Sequence, residues 1–337
     1  MEFVHINGVT LEVEVQGSGE PVVLVHGNIL ADGLAPLMEE PILTQHYRMV
    51  RYHRCGFAGS THLDPPVSIA QQAEHCRALM RHLNIERAHI VGHSYGGPIA
   101  LQLALDAPDA VHSLSLLEPP LLGAIPSDQK FMERMELVQQ IYKEGKRSEA
   151  IDTFLRLVCG QEYRRVIDQA LPGGYFEQAV ADLDTFFQIE LPALQEWSFT
   201  REAAERVKQP VLSVLGADSA PMFREVHKVV LEWLPQAEEL VLPNATHLLQ
   251  MMNPRDMAAG LVDFFIRHQL PLPVSDLFEG EMADLKDEVR TIMDNADAWL
   301  NTPNDQFAGK RPIDLIGGPE EYRLRNLIRA VKHGMVS

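Results

Sequence analysis

The sequence predicts an α/β fold with a mainly parallel β-sheet, and three observations lead to this prediction. Short apolar runs alternate with amphipathic helical segments from residue 1 to about residue 270. Such alternation needs crossover connections, which place parallel strands in one sheet with helices on both faces. Some runs, such as EPVVLVHG at 20–27, are apolar throughout, as expected of strands buried on both faces. Residues 122–200 and those beyond about 272 carry only helical patterns.

The elements follow in order along the chain. MEFVHINGVTLEVEVQ alternates around Asn7-Gly8, which predicts a β-hairpin. Further strands are predicted in EPVVLVHG, YRMVRY, AHIVGHS, VHSLSLLE, PVLSVLGAD and AEELVLPN. Helices are predicted at 68–83, where apolar residues recur on one face, and in GGPIALQLALDAP, MFREVHKVVLEWL and PRDMAAGLVDFFIRH.

The domain organisation follows from the two interruptions. Residues 1–121 and 201–270 form the predicted core, and 122–200 form an inserted helical lid, called the helical insertion below. Its aromatic residues include Phe154, Tyr175, Phe176, Phe186, Phe187 and Trp197. Most of them are expected to pack helices together, with one or two lining a pocket. The two prolines of LPLP at 270–273 predict a boundary before a small all-α domain at 272–337.

Composition and charge exclude several classes of partner. The formal net charge is −18, from 47 acidic and 29 basic side chains, so the protein should repel phosphate backbones and anionic membranes. We therefore predict no nucleic-acid partner and no membrane association. The three cysteines lack the spacing of a zinc site or a disulfide framework. No signal peptide or run of about 20 apolar residues is present, so a cytoplasmic location is predicted.

A candidate nucleophile lies in AHIVGHSYGGPIA at 88–100. Ser94 is flanked by Gly92 and Gly96 and stands between a predicted strand and a predicted helix. Glycines suit a sharp strand-to-helix turn that holds the serine in a strained, exposed conformation. This pattern predicts a nucleophile elbow.

A serine hydroxyl needs a base to become a nucleophile. His247 is the candidate, because it follows the last strand of the core and comes after the serine in chain order, as the elbow architecture requires. His26 and His93 are predicted to serve local geometry instead.

Residues 1–270 resemble the α/β-hydrolase superfamily. The resemblance is carried by His26-Gly27-Asn28, by YHRCGFAGS at 52–60, by the elbow at 92–96 and by Asn244-Ala245-Thr246-His247. Three positions depart from the family pattern: His53 replaces an aspartate, and Ala58 and Thr246 replace glycines. The resemblance implies serine chemistry without a cofactor or metal, and it leaves the details of the pocket open.

The acid of the triad has two candidates. In the family pattern an aspartate follows the seventh strand, three residues after a glycine, but here Ser219 takes that place and Asp218 comes one residue early. Glu118 directly follows the sixth strand, the alternative location of the acid in some members. A slip of one residue usually turns a side chain away, so Glu118 is preferred and Asp218 stays a candidate.

The oxyanion hole is predicted to use the backbone N–H groups of Asn28 and Tyr95. Tyr95 directly follows the nucleophile, and Asn28 lies in the loop after the third strand. Because backbone groups would act, replacing these two side chains is expected to reveal little.

The predicted function is a serine hydrolase that cleaves a small-molecule ester, lactone or thioester through an acyl-enzyme on Ser94. A serine at the elbow argues against dehalogenase or epoxide hydrolase chemistry, which in this family needs an aspartate. Cofactor-free perhydrolysis and C–C bond hydrolysis use the same triad and remain alternatives. A ligand-binding or scaffold protein that keeps the fold is an alternative of another class.

The C-terminal domain carries a second resemblance. Trp299-Leu300-Asn301-Thr302-Pro303-Asn304, Gly309, Pro312-Ile313-Asp314-Leu315 and Lys332-His333-Gly334 resemble the toxin-binding domain of the Xre/MbcA/ParS antitoxin family. The resemblance implies a protein partner or homo-oligomer. From residue 272 onward the sequence has eight Lys and Arg residues and twelve Asp and Glu residues. No basic helix-turn-helix pattern is seen there, so DNA binding is not predicted. An inert tail packed on the core is the alternative.

Overall fold

A computed structural model describes residues 1–62, 67–125, 129–270, 281–282, 284–307, 309–317 and 321–332. The chain forms two compact units, Met1–His268 and Gln269–Ser337. Of the predicted boundary at 270–273, residues 271–273 lie outside the described residues.

The first unit is built on an eight-stranded sheet in the order β1-β2-β4-β3-β5-β6-β7-β8. The strands are β1 Glu2–Ile6, β2 Val9–Gln16, β3 Glu20–Val25, β4 Tyr47–Tyr52, β5 Ala88–His93, β6 Val111–Leu117, β7 Val211–Gly216 and β8 Ala237–Leu242. β2 pairs antiparallel with β1 and β4, and the other neighbouring strands are parallel. The predicted α/β fold with a mainly parallel sheet is confirmed.

Helices connect the strands and cover the sheet. Those of the core are α1 Ala35–Met38, α2 Pro41–Thr44, α3 Ile69–His82, α4 Gly96–Asp106, α10 Arg201–Ala204, α11 Pro221–Trp233, α12 Leu249–Met252 and α13 Pro254–Arg267. A short 3₁₀ turn, Pro108–Ala110, precedes β6. Among the described residues, no helix has both the length and the apolar character needed to cross a membrane.

The central strands are mostly apolar because each face of the sheet meets a separate core. Every residue of β3 and β5 is buried. Val23 and Ile90 pack into one hydrophobic cluster, whereas Val22 and Val91 pack into another. Successive side chains of a strand point to opposite faces, so both faces select apolar residues.

The helical insertion lies between β6 and β7 and is helical in its described residues, as predicted. Its elements are a 3₁₀ turn Leu122–Ala124, α5 Gln129–Lys143, α6 Arg147–Cys159, α7 Tyr163–Ala170, α8 Tyr175–Ala181, a π-helical segment Thr185–Glu190 and α9 Leu191–Glu196. Its buried residues form one cluster with residues of the core, among them Ile29, Leu215 and Phe223.

The second unit is helical where it is described. It contains α14 Leu285–Ile292, α15 Ala296–Asn301, α16 Glu321–Lys332 and the 3₁₀ turns Asp305–Phe307 and Pro312–Leu315. Eight buried apolar residues, including Leu300, Phe307 and Leu324, form its own core. Of the residues that carry the antitoxin resemblance, His333 and Gly334 lie outside the described residues.

Buried histidines predict acid sensitivity in the first unit. Burial lowers the pKa of His89 to about 3 and that of His112 to about 4. An unfolded imidazole has a pKa of about 6.5, so below that pH the unfolded chain binds protons that the folded chain refuses. The free energy of unfolding should therefore decrease from pH 7 to pH 5, a range in which most carboxylates stay ionised.

The measurement is the thermal unfolding midpoint at pH 7 and pH 5. The midpoint should be lower at pH 5, and His112→Gln, which keeps a donor for the His268 carbonyl, should reduce the difference. Identical midpoints at the two pH values would contradict this explanation.

Candidate active site

Ser94 lies on a sharp turn between β5 and α4. Its backbone has a φ of +50°, a left-handed conformation that is costly for a residue with a side chain. A Cβ atom on Gly92 would come within 2.5 Å of the Gly96 carbonyl oxygen, and one on Gly96 within 2.1 Å of the Val25 carbonyl oxygen. The turn therefore requires glycine on each side of the serine, as the sequence pattern predicts.

His247 lies in the loop after β8 and meets the serine. Its Nε2 atom is 3.0 Å from the Ser94 Oγ, which is the distance of a hydrogen bond. The ring of Phe223 on α11 stacks on the imidazole, with a centroid separation of 4.1 Å and an interplanar angle of 11°. The side chain of Thr246 donates to the Cys159 carbonyl oxygen of α6, which ties this loop to the helical insertion.

Glu118 lies on the other side of the imidazole. The Nδ1–H of His247 donates to Glu118 Oε2 at 2.7 Å, and the Gly216 N–H donates to Oε1 at 2.8 Å. The residue directly follows β6 with a φ of +48° and is 2% exposed. The carboxylate therefore holds the tautomer that leaves Nε2 open to accept the serine proton.

Asp218, the other candidate acid, is not brought to the imidazole. Its side chain is exposed to solvent, and its backbone N–H donates to the Ala245 carbonyl oxygen. The place three residues after Gly216 holds Ser219, which is buried. The one-residue displacement thus turns the aspartate outward, and Glu118 is the carboxylate on His247.

His93 holds the backbone of the loop that carries His247. Its Nε2–H donates to the backbone carbonyl oxygen of His247 at 2.9 Å. Burial is the main reason that the pKa of His93 is lowered to about 3. His93 therefore stays neutral at ordinary pH and keeps this hydrogen bond.

The two backbone amides predicted for the oxyanion hole are available. Neither the Asn28 N–H nor the Tyr95 N–H donates to another residue in the described part of the chain. The Ser94 carbonyl oxygen accepts from the Gly97 N–H at 2.8 Å, and this carbonyl belongs to the same planar peptide as the Tyr95 N–H. Asn28 and Ser94 line one pocket.

Comparison with protein families agrees with this geometry. Residues 20–254, more than half of the chain, match the family described as alpha/beta hydrolase fold. The chain belongs to the α/β-hydrolase fold family. Hydrolase chemistry is thereby supported at the level of the family.

Individual relatives of this α/β-hydrolase are distant. It is 28% identical over 257 residues to the dihydrolipoyllysine-residue acetyltransferase component of the acetoin cleaving system of Pseudomonas putida, covering 74% of this chain and 64% of the relative. It is 33% identical over 149 residues to a fluoroacetate dehalogenase of Burkholderia sp., covering 42% and 46%. The chain thus spans less than two thirds of both relatives.

Among solved structures, a thermophilic esterase from Thermogutta terrifontis has a TM-score of 0.65 at 22% identity, covering 80% of this chain and all of the esterase chain. At this level of identity the likeness shows the fold alone.

The pocket of the α/β-hydrolase is mostly apolar. Its empty volume is about 1010 Å³, including the solvent-filled space at its open mouth. Part of its wall comes from the helical insertion, where Phe131, Phe154 and Phe186 line the pocket. Two of these, Phe154 and Phe186, belong to the six aromatic residues of which one or two were expected there. Within the described residues the lining contains no Asp, Glu, Lys or Arg. The described part of the chain also holds no group of three or more His, Cys, Asp or Glu that could bind a metal ion.

A cysteine shares the pocket with the serine. Cys159, at the end of α6, is one of the lining residues. Burial, and to a lesser extent the charge of Glu118, raise the pKa of its thiol. A thiol that resists ionisation is a poor nucleophile, so Ser94 is the better candidate in this pocket.

Two further serine–histidine–glutamate chains start from serines of the sheet. They are Ser113–His89–Glu20 and Ser213–His227–Glu239. Ser113 and Ser213 are buried within their strands and do not line the pocket. A hydrogen-bonded chain is therefore not sufficient, and the elbow, the free amides and the pocket distinguish Ser94.

Several residues around the site are not predicted by the sequence patterns. Gln250 follows His247 by three positions, and its Nε2 lies 3.5 Å from His93 Nδ1. Arg54 stands inside the family segment at 52–60, which was a usable signal. Phe223 and Glu190 come from distant elements, and no local pattern marks them.

The two acids can be separated by mutation. Glu118→Gln should lower kcat/KM by about 100- to 10,000-fold, because the amide removes the charge that stabilises the imidazolium and favours the wrong tautomer. Asp218→Asn should stay within about twofold of wild type, because that side chain is exposed. Both are measured with an ester that the wild type hydrolyses. Loss of activity in the Asp218 variant alone would reverse the assignment.

Proposed function

We propose that this protein is a serine hydrolase that cleaves esters, lactones or thioesters through an acyl-enzyme on Ser94. One observation carries the proposal: Ser94, His247 and Glu118 form a continuous hydrogen-bonded chain whose serine lines a pocket. The fold family supports hydrolase chemistry.

The proposed reaction has two halves. Ser94 Oγ attacks the carbonyl carbon while its proton passes to His247 Nε2, and Glu118 stabilises the resulting imidazolium. The negative oxygen accepts hydrogen bonds from the Asn28 and Tyr95 amides. The bond between the carbonyl carbon and the leaving oxygen or sulfur then breaks, and the departing alcohol or thiol takes the proton from Nε2. Water then attacks the acyl carbon, returns a proton to Nε2, and the bond to Ser94 breaks as its oxygen regains that proton.

The pocket favours an uncharged, apolar acyl group. Phe154, Leu155 and Val158 of α6 line the same pocket as Ser94, and no described lining residue bears a carboxylate, ammonium or guanidinium group. A charged acyl chain would lose its hydration there without gaining a counter-ion. An apolar chain gains instead by leaving water.

The reaction class is tested with a fluorophosphonate probe and short p-nitrophenyl esters. Wild-type protein should be labelled at Ser94 and should hydrolyse the esters, whereas Ser94→Ala should do neither. An unlabelled Ser94 with no ester turnover would remove the proposal and favour a ligand-binding protein with a hydrolase fold.

The acyl preference is tested with a series of p-nitrophenyl esters. From acetate to hexanoate, kcat/KM should rise by up to about fourfold per methylene until the pocket is full, since each buried methylene contributes about 0.8 kcal/mol. A succinyl ester should be poor.

Val158→Trp should abolish the gain for long chains and spare acetate, because the indole fills the pocket. Leu137→Trp is the control, since Leu137 is 54% exposed and lies outside the pocket lining. A flat chain-length profile in wild type would contradict the apolar acyl site.

A further inference from the structure

A buried ion pair joins the core to the helical insertion, and neither of its residues lines the pocket. Arg54 follows β4 and is 2% exposed, and Glu190 ends the π-helical segment of the insertion and is fully buried. Arg54 Nη1 donates to Glu190 Oε1. Removing two charges from water is costly, so such a pair needs many compensating hydrogen bonds. π-Helical segments are also frequent at functional sites.

The guanidinium holds the backbone that precedes Asn28. Arg54 Nη2 donates to the Gly27 carbonyl oxygen at 2.8 Å, and Nε donates to the His26 carbonyl oxygen at 3.1 Å. His26 Nδ1–H donates to the same Gly27 oxygen at 2.8 Å. Burial and the charge of Arg54 hold the pKa of His26 well below its usual value, so this ring is neutral. Its Nε2 accepts from the Arg54 backbone N–H, which leaves the proton on Nδ1.

These hydrogen bonds determine where the Asn28 N–H points. The Gly27 carbonyl and the Asn28 N–H belong to one planar trans peptide, so the two groups point in opposite directions. Two donors fix the carbonyl on the Arg54 side. The Asn28 N–H is thereby held facing away from Arg54, and it has no partner among the described residues.

The carboxylate acts on the same residue through its second oxygen. Glu190 Oε2 accepts from the side-chain Nδ2 of Asn28. Glu190 thus binds Arg54 with one oxygen and Asn28 with the other. This contact gives the Asn28 side chain a role, in contrast to the expectation that replacing it would reveal little.

The other predicted oxyanion residue also contacts this guanidinium. The Cζ atom of Arg54 lies 5.0 Å from the centre of the Tyr95 ring. Gln72 Oε1 accepts from Arg54 Nη1 at 2.6 Å, and Gln72 Nε2 donates to the Tyr95 hydroxyl at 3.3 Å. One buried cation therefore contacts the residues on both sides of the hole.

We propose that Arg54 and Glu190 are positioning residues that orient the Asn28 N–H as an oxyanion donor and anchor it to the helical insertion. The inference rests on the proposed function, because it assigns to the pair a part in stabilising the oxyanion. Neither residue touches the substrate. Their effect should appear in kcat, because a misdirected amide weakens the transition state and leaves ground-state binding almost unchanged.

Two variants test the pair with the full-length protein. Asn28→Ala removes the tether to Glu190 while keeping the backbone N–H and the ion pair. Glu190→Gln keeps the shape but places an amide NH₂ group beside a donor. For an ester that the wild type hydrolyses, each should lower kcat by about 10- to 100-fold with KM within about threefold. The rate of fluorophosphonate labelling of Ser94 should fall in parallel.

Glu196→Gln is the matched control, since Glu196 ends α9 of the same insertion and is exposed. Its kcat should equal that of wild type. The double variant Asn28→Ala/Glu190→Gln should be no slower than Glu190→Gln alone, because both changes break one tether. Losses that multiply would show two independent effects and overturn the coupling.

The outcomes separate this inference from the proposed function. If the wild type is labelled and active while Asn28→Ala and Glu190→Gln both keep their kcat or change only KM, the positioning role is wrong and the serine hydrolase stands. If the wild type shows neither labelling nor turnover, the proposed function itself fails and this inference with it. Should Glu190→Gln not fold, as judged by circular dichroism, Arg54→Lys takes its place with the same expected fall in kcat, because lysine keeps a cation beside Glu190 but cannot make both hydrogen bonds to the His26 and Gly27 carbonyl oxygens.

Discussion

The contact between the backbones of β3 and α4 is the constraint on which the site depends. Gly96 approaches the Val25 carbonyl so closely that no side chain fits between them. Because β3 and β5 are parallel neighbours, their carboxyl ends lie side by side. The loop with Asn28 and the turn with Ser94 therefore meet at one edge of the sheet, where a donor and a nucleophile can act on one carbonyl group.

The Ser94 site differs from the other serine–histidine–glutamate chains of the protein mainly because its serine is open to a pocket, and less because of its hydrogen bonds. Ser113 and its imidazole partner His89 are both fully buried, so that chain satisfies polar groups in the core. Ser94 instead has a strained backbone, an open apolar pocket and, beside it, two amides that donate to no residue in the described part of the chain. A nucleophile needs these features together, because proton removal is useful only where a substrate can bind.

The helical insertion contributes to the site as well as to the pocket wall. Cys159 accepts a hydrogen bond from the residue before His247, and Glu190 binds both the guanidinium of Arg54 and the side chain of Asn28. The insertion thus contacts both the loop that holds His247 and the loop that holds Asn28. The same helices also line the pocket.

The sequence by itself determined the strands, the elbow and the placement of the histidine, because continuous apolar runs, paired glycines and chain order are local signals. It favoured Glu118 but could not exclude Asp218, since both follow parallel strands that end at one sheet edge. The backbone direction after each strand decided that question. Arg54 and Glu190 are 136 positions apart, so only tertiary packing paired them. Long-range burial creates such contacts, and no periodic pattern in the chain records them.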